Sequence, residues 1–117
     1  MLKAVSLGFA VAKPWGDSER YDFILDTGTR LWRVQVKSTS AIQNGAYSVN
    51  ARRNANGNPI AYRIGEIDFL IAQIVPEDCW YVIPLEAILR QKSLRIYPEK
   101  DSRVGEYGKY REAWELI

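Results

Sequence analysis

The stretch from Tyr21 to Ser38, YDFILDTGTRLWRVQVKS, decides the fold, because a strong hairpin signal coincides there with polar residues on a face that ought to be covered. In the first arm Tyr21, Phe23 and Leu25 alternate with Asp22, Ile24 and Asp26. In the second, Trp32, Val34 and Val36 alternate with Leu31, Arg33, Gln35 and Lys37, which is the period of two expected of strands. Asp26-Thr-Gly-Thr29 is the turn. If Gly28 and Thr29 form a two-residue loop with glycine first, as a type II′ turn prefers, facing residues have numbers that sum to 57, and Asp22 lies opposite Gln35. Any odd sum keeps Asp22, Gln35 and Lys37 on one side of the sheet. Gln35 and Lys37 then stand about 6.6 Å apart along their strand, at roughly 3.3 Å per residue. A carboxylate, an amide oxygen and an ammonium are therefore expected to converge.

The rest of the chain bounds what such a cluster can do. At 117 residues and 13.4 kDa it is expected to be one domain over residues 1–117, large enough to bury a core without staples. Its 47% hydrophobic and 26% charged residues are those of an ordinary globular protein, and no apolar run is long enough to span a bilayer, so no membrane partner is expected. MLKAVSLGFAVAKPWG does not have the form of a signal peptide, and a cytoplasmic address is expected. The lone Cys79 has no partner for an internal disulfide and there is no histidine, which removes Cys/His zinc sites and every mechanism that needs imidazole. If there is chemistry here, it must run on carboxylates, lysine and hydroxyls, with a hard metal bound by oxygen as a further option. A net charge of +2 permits a nucleic-acid partner without arguing strongly for one.

Outward from the hairpin, Met1 to Leu7 reads as a turn or two of helix ended by Gly8, Phe9 to Ala12 as a small strand, and Lys13 to Arg20 as a loop of breakers and charge. Asn44-Gly45 marks a turn, and Tyr47 to Ala51 reads as a third strand of the same sheet. Arg52 to Pro59, with two positive charges and no apolar side chain larger than alanine, reads as a solvated loop. Ile67 to Val75 is a continuous apolar run, expected to be a strand buried on both faces, with Trp80 to Ile83 returning beside it after a turn at Pro76 to Cys79. Leu85 to Gln91 has the proline-first start of a short helix, and Ser93 to Tyr97 reads as an edge strand. Arg111 to Ile117 reads as a closing helix with Tyr110, Trp114 and Ile117 on one face. The expected class is α+β, or α/β by a looser convention: a mixed sheet, mostly hairpin-connected, with flanking helices.

Asp22, followed thirteen residues later by Gln35-Val36-Lys37 on the second arm of one hairpin, resembles the arrangement of the PD-(D/E)xK nucleases, with Gln35 where that family more often has Asp or Glu. GFAVAKPWGDSERYDFILD, WRVQVKST and EIDFLIAQIVPEDCWYVIPLEAIL are similar to its group I intron-associated, homing-endonuclease-like branch, so the likeness runs from Gly8 to about Leu89. It implies a restriction endonuclease-like core and metal-dependent hydrolysis of phosphodiester bonds in DNA. On the matching positions, it implies that Asp22 binds a divalent cation, usually Mg²⁺ with Mn²⁺ as an alternative, that Gln35 helps hold it, and that Lys37 assists the attacking water. The Val36 carbonyl is a further candidate ligand, since magnesium takes oxygen donors at about 2.1 Å. Whether Lys37 orients the water, deprotonates it or offsets developing charge stays open.

Arg20, Ser38, Arg52 and Arg53 are the candidate DNA contacts, each weighed against plain exposure or, for Ser38, capping of the strand end. A domain this small covers few base pairs, so cutting both strands of a long site implies a dimer or tetramer. The family carries another glutamate on an N-terminal helix before the hairpin, and Met1 to Leu7 holds no acid, so that helix is expected to be truncated. A late start, a fragment, or compensation by Asp26 or an acid of Asp17 to Glu19 are the open explanations. The runner-up function is a nuclease-fold DNA-binding protein that has lost turnover. Glu66 and Asp68 read as the charged approach to a buried strand, Tyr107, Tyr110 and Trp114 as a packing stripe or dimer surface, and Cys79 as structural.

Overall fold

The computed structural model describes Lys3, residues 6–12, 23–98 and 106–117, with Ala55 by its backbone alone. Ten strands are defined among these residues: β1 (Ala10–Ala12), β2 (Phe23–Asp26), β3 (Leu31–Thr39), β4 (Ile42–Gln43), β5 (Ala46–Asn50), β6 (Arg52–Ala55), β7 (Asn58–Ala61), β8 (Phe69–Ile74), β9 (Cys79–Pro84) and β10 (Ser93–Ile96). They form a five-stranded sheet in the order β1-β2-β3-β8-β9, a three-stranded sheet β10-β5-β4 and a two-stranded ribbon β6-β7.

The β2–β3 hairpin has the expected register. Phe23 pairs with Val34, Ile24 with Arg33, Leu25 with Trp32 and Asp26 with Leu31, all summing to 57. Thr27 N–H donates to the Arg30 carbonyl at 3.1 Å, which closes the loop on Gly28 and Thr29. Only the first loop residue has a positive φ, +89° at Gly28, as a type II′ turn requires, and Gly28 N–H also donates to the Asp26 carboxylate at 2.8 Å. Beyond Val34 the strand changes partner: Val34 to Thr39 pair in parallel with Phe69 to Ile74 of β8.

The run that looked buried on both faces is the centre of the molecule. Leu70, Ile71, Ala72 and Ile74 have no exposed surface. One face of the large sheet, through Leu70, Ala72, Ile74, Tyr81 and Ile83, packs against Tyr47, Val49, Leu94 and Ile96 of the smaller sheet. The other, through Leu25, Val34, Phe69, Ile71 and Val82, is covered by Phe9, Val11, Trp32, Trp80, Trp114 and Ile117. Each such aliphatic side chain contributes about 1.5–3 kcal/mol by leaving water.

Four expectations need correction. Strand β5 belongs to the smaller sheet, paired with β4 and β10, and is not the third strand of the hairpin sheet. Arg52 to Pro59 is not an open loop: β6 and β7 pair across Asn56-Gly57, whose φ values of +51° and +82° are those of a type I′ turn. After Pro84 there is one 3₁₀ turn, Leu85–Ala87, because Leu85 and Ile88 are both buried at a spacing of three and Ile88 N–H bonds to the Leu85 carbonyl. The closing segment is two 3₁₀ turns, Gly108–Tyr110 and Trp114–Leu116, separated by Glu112 at φ +49°. Glu112 is held there by β9: its N–H donates to the Trp80 carbonyl at 2.7 Å and its carboxylate accepts from Trp80 N–H at 2.9 Å and from Trp114 Nε1 at 2.8 Å. Tyr110 therefore packs on one core and Trp114 and Ile117 on the other. The fold is α+β, a mixed sheet sparse in helix.

Candidate active site

Three consecutive residues of β3 are candidates for the site. Gln35, Val36 and Lys37 are all half-buried, and alternation turns Gln35 and Lys37 to the face that also bears Leu70 and Ala72, their register partners on β8. That face is apolar over β8 and β9, where the smaller sheet covers it, and becomes polar at β3. Val36 points its side chain to the opposite face. Gln35 and Lys37 begin one residue past the Phe23–Val34 pair, where β3 passes from antiparallel pairing with β2 to parallel pairing with β8. Asp22 and Arg20 lie outside the described residues, as do Lys13, Trp15, Asp17 and Glu19.

The same face of β3 carries Arg33, and it fixes how β8 docks. The Asp68 carboxylate accepts from Arg33 backbone N–H at 2.8 Å and from Nη2 at 3.2 Å, Asp68 N–H donates to the Arg33 carbonyl at 2.8 Å, and Arg33 Nη1 donates to the Gly65 carbonyl. A parallel pair has no tight turn to set its register, so this clamp at the head of β8 does it. Asp68 is thus a positioning residue rather than a spare acid. Its place beside the apolar run was visible in the sequence; its partner was not, since nothing local links residues 33 and 68.

The other candidates are spread out. Ser38 lies on the opposite face from Lys37 and donates to Gln73 Oε1 at 3.2 Å. Thr39 is on the Lys37 face, half-buried, and with Ser38, Ser40, Ala41 and Val75 lines an open groove at the end of β3. Arg53 turns inward from β6 to pair with Glu66 at 2.8 Å, both side chains largely covered, whereas Arg52 is exposed. Glu66 also accepts from Arg63 N–H at 2.7 Å. Cys79 is buried at the start of β9, where loss of water pushes its thiol pKa up and Arg111 partly offsets this. A thiol so placed is a weak nucleophile. Among the described residues no three acidic, histidine or cysteine side chains gather in a metal-binding group. No described helix is long and apolar enough to cross a membrane.

The sequence profile of the PD-(D/E)XK endonucleases matches residues 1–117, the whole chain. The chain belongs to that family. In line with this, the PD-(D/E)XK chain is similar to the solved structure of a bacterial homing endonuclease, I-Ssp6803I, at 32% identity and a TM-score of 0.83, over 99% of this chain and 83% of that one. No curated protein matches the sequence. The described half of the expected PD-(D/E)XK site, Gln35 and Lys37, sits on one half-buried face of the strand.

Proposed function

We propose that the chain is a metal-dependent DNA endonuclease that hydrolyses phosphodiester bonds through Asp22, Gln35 and Lys37. The observation that carries this is the pairing of Gln35 and Lys37 on one half-buried face of β3, beside the Phe23–Val34 pair whose register continues the hairpin towards residue 22 in sequence. Asp22, the Gln35 amide oxygen and the Val36 carbonyl are all oxygen donors, the set that a hard cation such as Mg²⁺, or Mn²⁺, accepts. Such an ion, when bound, supplies stabilisation of charge on the phosphoryl oxygens. Of these donors only Asp22 is charged, so the protein alone holds the cation weakly and a substrate phosphate completes the site. Lys37 shares the face with Gln35, about 6.6 Å along the strand, and serves the attacking water or the charge that develops on the phosphate.

A second reading has its own support. Gln35 is neutral, and among the described residues no three acidic, histidine or cysteine side chains gather in a metal-binding group, which suits a nuclease-fold DNA binder without turnover. Plasmid nicking in Mg²⁺ or Mn²⁺ separates the two. The enzyme reading expects cleavage that Lys37→Ala and Asp22→Ala each abolish while the protein stays folded. Retained DNA binding without cleavage in either metal would replace it with the second. Assembly as a dimer or tetramer and a cytoplasmic address belong to the same proposal: one small domain spans few base pairs, and DNA is the substrate.

A further inference from the structure

The β6–β7 ribbon has two unlike faces. Arg53 is turned in, paired with Glu66, while Arg52 and Asn54, one residue to either side, face outward and are exposed. A two-stranded ribbon alone in water is marginal. Here its root is fixed: Glu66 holds Arg53 and the Arg63 N–H, and the neighbouring Gly65 and Asp68 are gripped by Arg33, two residues before Gln35 on the same strand and face. The outward face makes no contribution to either core.

Its charges are also unspent. Among the described arginines, Arg33 and Arg53 are in ion pairs, Arg95 and Arg111 donate to Gln43 and Pro98 carbonyls, and Arg30 lies 3.8 Å over the Trp32 ring. Arg52 is bonded only through its backbone N–H, to Asn50 Oδ1 at 2.9 Å. Among the described residues the guanidinium groups of Arg63 and Arg90 likewise have no ion-pair or hydrogen-bond partner, and both residues line the open groove beside Ile60 and Tyr62 at the ribbon's base.

The major groove of B-DNA admits a two-stranded ribbon, and arginine and asparagine are the side chains whose paired donors and acceptors match the edges of guanine and adenine. Phosphates, by contrast, need only positive charge beside the reading element. We propose that the β6–β7 ribbon is the sequence-reading element of this nuclease: it enters the major groove next to the cleavage site, Arg52 and Asn54 read base edges, and Arg63 and Arg90 hold flanking phosphates. This rests on the nuclease reading of the β3 site.

The test is selection of bound duplexes from a randomised DNA pool, with salt titration and plasmid nicking on the same preparations. Wild type is expected to enrich a motif. Arg52→Lys and Asn54→Ala keep the fold, checked by superimposable thermal unfolding. Arg52→Lys keeps the charge but not the planar fork, so each variant relaxes the preference at one or two positions of the motif, by about 5- to 150-fold per base pair. Arg63→Ala with Arg90→Ala leaves the motif intact and lowers the salt slope by about two. An unchanged motif in both Arg52→Lys and Asn54→Ala, or tight wild-type binding with no motif at all, would overturn the inference while leaving the nuclease reading in place. Absence of salt-sensitive binding by wild type would overturn both.

Discussion

At the scale of single residues, the proposed metal site turns on Gln35. An amide where a carboxylate would add a second negative charge lowers the attraction for a divalent cation, and affinity in such sites follows the number of charged ligands. Gln35→Glu should therefore lower the Mg²⁺ concentration that half-saturates cleavage, by roughly tenfold or more, read from nicking rates across a metal titration. An unchanged midpoint would mean that residue 35 does not touch the ion. The faces of Gln35 and Lys37 could be read from the sequence because a period of two fixes them whatever the exact register. The roles of Arg33 and Asp68 could not. Their pairing spans 35 residues and depends on β3 and β8 lying parallel, which no local pattern reports.

Local signals succeeded at the element scale where the backbone alone decides and failed where contacts elsewhere do. Gly28 and Asn44-Gly45 make the expected turns because positive φ is needed there and these residues supply it. Asn56-Gly57 carries the same signal, yet the flanking Arg52, Arg53 and Asn54 masked it: they look like a solvated run, and only the Arg53–Glu66 pair reveals that one face is turned inward. The closing helix failed for the opposite reason. Residues 111–117 have a helical pattern, but the bonds between Glu112 and Trp80 outweigh the helix and hold a left-handed residue in its middle. The parallel join of β3 and β8 is the element that places Gln35 and Lys37. Asp68→Ala should cost about 1–3 kcal/mol by urea unfolding, since it leaves the Arg33 N–H without its acceptor. Asp68→Asn, which can still accept, should cost about half of that or less. Equal costs would show that charge, not the backbone bond, holds the join.

Across the whole molecule, two cores lie on opposite faces of one five-stranded sheet, and the candidate site residues Gln35 and Lys37 sit on its middle strand, β3. That arrangement also predicts an alkaline limit. Burial pushes the Tyr81 phenol up to about 12 from an ordinary 10, the nearby Cys79 adding to this and Arg111 partly opposing it. The folded state then keeps a proton that the unfolded chain loses, so this contribution to stability is fully present below about pH 10 and is lost as pH rises to about 12. Urea midpoints measured from pH 9 to 12 should fall over that window, and Tyr81→Phe should flatten the fall; an equally steep fall in the variant would assign it to other groups. The sheet-and-core layout was largely legible, because Ile67 to Val75 announces a central strand. The division into two sheets and a ribbon was not, since strand partners are chosen by packing across the chain rather than by neighbours. Cleavage is the property on which all of this converges. Supercoiled plasmid incubated with the protein in Mg²⁺, beside Lys37→Ala at matched folded concentration, is expected to be nicked or linearised by wild type and about 10²–10⁴-fold more slowly by the variant. Equal rates in the two proteins would contradict the assignment of the site to β3.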